Sequence, residues 1–167
     1  MTQLKAGAGR APIRFPGTLF PYEGFRGVHA EPQVKILLLE CGERFALVSA
    51  ELVNLFEESL AAMKKIVAQS CGVSPENIWI HVTHAITTPH TPKTRDEFPP
   101  HKDPPPHLLD ETGEKKAAWN EAVSAAFAEA AAKASKLENA RLGYAQGSCD
   151  VNTNRDVETP FGWLINI

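Results

Sequence analysis

The sequence of 167 residues has few cysteines, no excess of basic residues and no long apolar run. Its three cysteines lie far apart, which excludes a disulfide framework and a cysteine metal cluster and favours a reducing compartment. A net charge of −3 without a basic stripe argues against nucleic acid as the main partner. No apolar segment approaches the roughly 20 residues of a membrane span, and no signal peptide is visible. These absences predict a cytoplasmic protein without a membrane span.

Apolar patterning in the first half of the chain predicts strands around one helix. Val34–Glu40 and Arg44–Ala50 are rich in apolar residues, which predicts a hairpin of two largely buried strands. An amphipathic helix over residues 52–70, stopped by Gly72, leads to a strand at Ile78–Val82. This order forms a βαβ unit, which favours parallel pairing with a right-handed crossover.

The remaining segments are predicted from their glycine, proline and alanine content. Residues 1–33, rich in glycine and proline, predict an irregular segment in which Gly7–Arg10 makes a turn. Residues 85–113 contain seven prolines between Pro89 and Pro106 and predict a long functional loop. An alanine-rich helix over 114–137 and a strand over 139–146 follow, giving an α/β fold with a mixed sheet and helices packed on it.

The last residues predict a polar turn over 150–156 and then an apolar stretch, Trp163–Ile167. Apolar side chains in such a position need burial against something. We therefore expect residues 1–167 to be a single α/β domain, or the N-terminal portion of a larger catalytic domain that a further chain or segment completes.

Five of the six histidines lie between residues 81 and 107. His84 ends a predicted strand and opens the loop, where α/β sheets place ligands, and a neutral imidazole there suits zinc. His81 and His84 are three residues apart, so on a strand they point to opposite faces and cannot bind the same metal ion. His101 and His107 stand among prolines and are expected to be solvated. Spacing alone leaves open whether His84 binds a metal or is a hydrogen-bonded structural residue.

Two carboxylates and two thiols are further candidates for chemistry beside the histidines. Glu51 follows the strand ending at Ala50, on the sheet edge expected for His84, and Asp96 lies in the loop. Either carboxylate has the chemistry to assist a metal or act as a base, but a helix N-terminal carboxylate is the simpler interpretation of Glu51. Cys71 and Cys149 have no adjacent catalytic partner and are expected to be structural thiols.

Four short motifs, taken in order, resemble those of one enzyme family. The motifs are Gly27-Val28-His29, Leu47-Val48-Ser49-Ala50-Glu51-Leu52, Thr83-His84-Ala85-Ile86-Thr87-Thr88-Pro89-His90 and Val151-Asn152-Thr153-Asn154-Arg155-Asp156. In this order they resemble the N-terminal part of the neutral ceramidase family and its bacterial ceramidase-like relatives.

The resemblance implies a zinc amidohydrolase that cleaves an N-acyl bond. His84 is the counterpart of a zinc-binding histidine in the family motif, and Asn154 and Arg155 match an Asn-Arg pair that implies substrate binding, with Arg155 near the acyl oxygen. Ile86 replaces the second histidine of the motif, and His90 is the catalytic candidate to take its place. The other zinc ligands of the family have no counterpart in this sequence, so they are expected from another segment or from a second polypeptide, unless the chain is a truncated fragment or a non-catalytic relative.

The sequence therefore predicts the N-terminal subunit or segment of a zinc-dependent amidohydrolase. Its substrate is expected to be a small or peptide-like amide, since the loss of the second histidine does not favour ceramide. Two alternatives remain open at this point. One is a non-catalytic binding module whose proline-rich loop docks a partner. The other is a subunit of a self-cleaved amidase whose nucleophile lies on the partner chain.

Overall fold

A computed structural model describes residues 3–148, 157–159 and 162–164. Seven strands and two α-helices lie in this part of the chain. They are β1 (Lys5–Pro12), β2 (Gln33–Cys41), β3 (Glu43–Ala50), α1 (Glu57–Cys71), β4 (Ile78–Val82), α2 (Glu114–Ala134), β5 (Glu138–Asn139), β6 (Val157–Thr159) and β7 (Gly162–Leu164).

Five strands form one mixed sheet in the order β4-β3-β2-β1-β5. The β2–β3 hairpin is antiparallel, and β4 runs parallel to β3 after the crossover through α1. The predicted α/β class, hairpin and βαβ unit are therefore confirmed. Strands β6 and β7 pair only with each other, as a separate two-stranded ribbon.

The prediction of an irregular N-terminal segment is wrong for residues 5–12. These residues form β1, which pairs along its whole length with β2. Gly7 and Gly9 are not in a turn but face α2, and a Cβ atom at either position would lie 2.0 Å from a carbonyl oxygen of that helix, at Ala134 and Ala130 respectively. Glycine is required at both positions because the helix backbone lies directly against the strand. This contact joins residues far apart in the sequence, so local sequence patterns do not predict it.

Helix α1 starts five residues later than predicted. Leu52 and Val53 are buried, but they continue from β3 in an extended segment, and the Leu52 carbonyl accepts a hydrogen bond from the Ala85 amide at 3.1 Å. Contacts with the next loop therefore override the helical pattern at the start. At the other end, Gly72 adopts the left-handed conformation (φ 61°) and ends the helix as predicted.

The strand predicted over 139–146 is reduced to Glu138–Asn139, which pair with Ala6 and Lys5. The Ala140 amide still donates to the Leu4 carbonyl at 2.9 Å, but among the described residues no strand lies beside Leu142 and Tyr144, which are 85% and 86% exposed. Alternating hydrophobicity at this position therefore does not produce a strand.

Both helices pack on one face of the sheet and enclose the core. Its largest fully buried side chains are Trp119, Phe127, Ile13, Leu19, Leu38, Leu52, Met63 and Ile78. The opposite sheet face carries no helix within the described residues. There Leu37 and Leu47 are 39% and 38% exposed and Trp79 is 64% exposed, so the hairpin strands are buried on one face rather than on both.

In the described part of the chain, neither helix combines the length and apolar composition that a membrane crossing requires.

Candidate functional site

The candidate site lies where the parallel strands β3 and β4 end. Ala50 and Val82 are register partners at this edge. Past the strands the two chains stay together, because the Thr83 amide donates to the Ala50 carbonyl at 3.0 Å and the Ala85 amide to Leu52 at 3.1 Å. Loops that leave the carboxyl ends of adjacent strands commonly form ligand sites in α/β folds.

His84 stands at this edge with an exposed side chain and a left-handed backbone (φ 55°). Its Nδ1 lies 3.1 Å from the Val53 carbonyl oxygen. A carbonyl can only accept, so Nδ1 is the donor, and in the neutral ring the lone pair is therefore on Nε2. Histidines that bind metals usually donate their second ring nitrogen to such an acceptor. The geometry of His84 is therefore suited to one metal ligand.

His90 is held by a single carboxylate from the N-terminal segment. The Glu23 Oε2 atom accepts the His90 backbone amide at 2.8 Å, and Oε1 contacts the His90 Nδ1. Glu23 is largely buried, with 15% of its side chain exposed, whereas the His90 side chain is 44% exposed. His90 is thus fixed on one edge of its ring and open on the other.

The stretch between the two histidines is a tight turn tied to the segment after β3. The buried Thr88 hydroxyl donates to the Ala85 carbonyl at 2.8 Å and accepts the Val53 amide at 3.0 Å. The Thr91 amide donates to the Asn54 side chain at 3.2 Å. These bonds fix the start of the long loop relative to the sheet edge.

Neither of the two candidate carboxylates, Glu51 and Asp96, makes a hydrogen bond to a histidine. Glu51 pairs with Lys35 Nζ at 2.6 Å and accepts the Gln33 amide at 2.9 Å, and the Lys35 hydrogen bond lowers its pKa. Since α1 begins at Glu57, the helix-terminus interpretation of Glu51 is also wrong. Asp96 accepts the Thr94 hydroxyl, which lowers its pKa.

The side chains of His81, His101 and His107 are exposed and do not form part of the candidate site. His81 lies on the helix-free sheet face, beside Ser49, while His101 and His107 are solvated loop residues as predicted.

Cys71 is buried against the Ala131 carbonyl at 3.6 Å, and burial raises the pKa of its thiol, which suits a structural role. Among the described residues, no group of three or more His, Cys, Asp or Glu side chains is arranged to hold a metal ion.

An apolar cavity of about 440 Å³ adjoins the turn between His84 and His90. Thr87, Thr88 and Pro89 form one wall, and the aromatic N-terminal segment forms the other. The remaining lining residues are Phe15, Phe20, Phe25, Gly27, Val28, His29, Ala30 and Pro32. The segment that was predicted to be an irregular loop therefore shapes the surroundings of the candidate histidines.

Asn154, Arg155, Cys149 and the polar turn over 150–156 lie outside the described residues, so their predicted roles remain predictions. Glu23 was missed by the sequence analysis. Its only local signal is the Glu23-Gly24 pair between Tyr22 and Phe25, which is typical of a turn but carries no sign of the distant His90.

No family model matches the chain, and no curated protein matches it in sequence. Its structure is similar to the neutral ceramidase from Pseudomonas aeruginosa, with a TM-score of 0.56 and 16% identity. It is also similar to a ceramidase complexed with C2, with a TM-score of 0.54 and 16% identity. Each match covers 83% of this chain and 22% of the ceramidase chain, so this chain spans about a fifth of their length. The resemblance to neutral ceramidases drawn from the motifs is thus confirmed at the level of the fold.

Proposed function

We propose that this chain is part of a hydrolase that cleaves an amide bond, with His84 as one zinc ligand. The observation that carries the proposal is the ring geometry of His84 at the shared end of β3 and β4, on a ceramidase-like fold. Its Nδ1 is bound to the Val53 carbonyl, which leaves Nε2 for a metal. When bound, zinc supplies activation of a water or hydroxyl nucleophile.

The described residues provide one suitable ligand but not a zinc site, because a catalytic zinc ion takes three protein ligands. The proposal therefore assigns the remaining ligands to another segment or to a second polypeptide, which in the latter case forms a hetero-oligomer with this chain. The helix-free sheet face supports this assignment. Leu37, Leu47 and Trp79 are the kind of side chains that a further layer of structure would cover.

The substrate in this proposal is a small or peptide-like amide with an apolar substituent. The apolar cavity beside Thr87–Pro89 is of a size that suits such a substituent. Asn154 and Arg155 are proposed to bind the acyl oxygen, because a guanidinium stabilises developing negative charge there. Ile86, which is 76% exposed, offers no polar group where the family motif has its second histidine.

Zinc content of the native protein tests the proposal. Protein purified from its natural source should contain a further segment or a second chain, together with about one zinc ion per complex, measured by intact mass spectrometry and elemental analysis. His84→Ala should remove the zinc, while His101→Ala, in the exposed loop, should retain it. Arg155→Ala should keep the zinc and lower kcat/KM for amides by about 10²-fold.

Equal zinc in His84→Ala and wild type would exclude His84 as a ligand. A metal-free native protein with neither a further segment nor a second chain would favour the binding module instead.

A further inference from the structure

We propose that Glu23 is a positioning residue that fixes His90 as a proton acceptor, with its Nδ1 protonated and its Nε2 open to substrate. The inference rests on the proposed amide hydrolysis for its functional consequence. Its structural part concerns only these two residues and is testable without a substrate.

The tautomer follows from the contacts of the carboxylate. An ionised carboxylate accepts hydrogen bonds and donates none, so the His90 Nδ1 that contacts Oε1 must carry the ring proton. The neutral ring then has its lone pair on Nε2. The second oxygen, Oε2, accepts the His90 amide at 2.8 Å and thereby fixes the backbone as well as the ring. Two contacts from one side chain leave the ring little rotational freedom.

The backbone at Glu23 supports a specific role for this side chain. Tyr22 and Phe25 exchange two backbone hydrogen bonds, of 3.1 and 2.9 Å, around a two-residue turn. Both turn residues have positive φ, 52° at Glu23 and 83° at Gly24. Turns of this type favour Asn, Asp or Gly at both positions, and a glutamate there is strained.

Among the described residues, Glu23 and His84 are the two non-glycine residues with positive φ. Both lie at the candidate site, one as a proposed metal ligand and the other as the support of His90. Strained residues cluster where function requires a fixed geometry. This coincidence is a second observation, independent of the hydrogen bonds, that links Glu23 to the site.

The chemical consequence concerns proton transfer during hydrolysis. His90 Nε2 accepts a proton from the attacking water as the new C–O bond forms, and it returns that proton to the leaving nitrogen as the C–N bond breaks. Water and amide give acid and amine, and His90 ends in its starting form. Glu23 does not touch the reacting atoms but holds the ring in the tautomer that can accept.

The tautomer of His90 is measurable by long-range ¹H–¹⁵N NMR of the full chain at a pH of about 8, where histidines are generally neutral. His90→Gln assigns the signals. In the wild type, Nδ1 should be the protonated nitrogen. In Glu23→Gln the remaining oxygen should face the His90 backbone amide, which can only donate, so the new NH2 group faces Nδ1. Nδ1 then becomes the acceptor, and the ring should shift toward the Nε2-protonated form. Glu43→Gln, in an exposed residue at the opposite end of β3, should leave the spectrum unchanged.

An Nε2-protonated ring in the wild type would overturn the proposal, and so would an unchanged tautomer in folded Glu23→Gln. If that variant does not fold, the wild-type spectrum decides the question. With an amide substrate, Glu23→Gln should lower kcat while KM and bound zinc stay unchanged. Absence of zinc or amidase activity would contradict the proposed function without changing the tautomer, so the two failures are distinguishable.

Discussion

Two glycines of β1, Gly7 and Gly9, allow α2 to approach the sheet closely. A methyl group at Gly9 would lie 2.0 Å from the Ala130 carbonyl oxygen and 2.7 Å from the Ala134 amide nitrogen, and both atoms belong to the helix backbone. Because a backbone cannot move aside as a side chain can, the strand and helix would have to separate. Gly7 makes an equally close approach one pleat away.

Gly9→Ala should therefore lower the free energy of unfolding by about 3 kcal/mol, the upper end of the usual range for overpacked sites. Urea denaturation with far-UV circular dichroism measures this change. Gly17→Ala is the matched control, because no atom lies within 4 Å of its added methyl group, and its effect should stay within about 0.5 kcal/mol. Equal effects of the two changes would contradict the close packing.

Tyr22 makes the stability depend on pH in the alkaline range. Burial raises the pKa of its phenol above the ordinary 10.0, and the negative charges of Glu23 and Asp110 raise it further. Below pH 10 both folded and unfolded states keep the proton, so the group adds no pH dependence. Above it the unfolded chain loses the proton first, so stability falls as pH rises.

Tyr22→Phe should flatten the decrease in unfolding free energy between about pH 10 and 11.5, because phenylalanine has no proton to lose. Urea denaturation at a series of pH values measures the slope. Tyr144→Phe, at a tyrosine that is 86% exposed, should keep the wild-type slope. The same slope in all three proteins would show that Tyr22 is not the group responsible.

At the scale of elements, α2 begins without a side-chain cap of its own. Its N-cap residue is Gly113, which has no side chain. Asp110, only 2% exposed, replaces the missing cap: its Oδ2 accepts the Lys116 amide at 2.8 Å, and its Oδ1 accepts the Thr112 hydroxyl at 3.3 Å. The loop therefore anchors the first turn of the helix.

Asp110→Ala should lower the free energy of unfolding by about 1–2 kcal/mol, the usual cost of losing a helix cap. Thermal and urea denaturation measure the loss. Asp103→Ala in the same loop is the control, since its carboxylate is fully exposed and its pairing with Arg95, at 3.9 Å, is weak. A loss of similar size at Asp103 would refute the capping role.

Elements defined by nearby residues were predictable from the sequence, and those defined by distant contacts were not. The β2–β3 hairpin, the Gly72 stop and most of α2 follow from local periodicity and glycine chemistry. Strand β1 was missed because its glycines match a helix far along the chain. The candidate site divides in the same way: His84 was found from its position after a strand, whereas Glu23 acts on a residue that only folding brings near.

At the scale of the whole molecule, the two faces of the sheet have different roles. Leu38 is fully buried under the helices, while its neighbour Leu37 is 39% exposed on the helix-free face, opposite Leu47. The two leucines are adjacent on one strand and differ mainly in the face they occupy. They form a matched pair for testing the layered arrangement.

Leu38→Lys should unfold the domain, because it buries an unpaired charge in the core. Leu37→Lys should change the free energy of unfolding by no more than about 0.5 kcal/mol. If the second polypeptide covers this face, Leu37→Lys should also prevent its co-purification. Unfolding by both changes would contradict the helix-free face as described.

The order of strands in the sheet also bears on how the chain folds during synthesis. The hairpin and the βαβ unit join residues close in sequence, so they can form soon after they leave the ribosome. Strand β1 is made before the other described elements, yet its glycine face is covered by α2, which follows β4 in the chain. Until α2 is in place, the face of β1 that carries Gly7 and Gly9 is exposed in the nascent chain. The glycine face of β1 is therefore covered only once α2 has been made, and the nascent chain needs protection from aggregation until then.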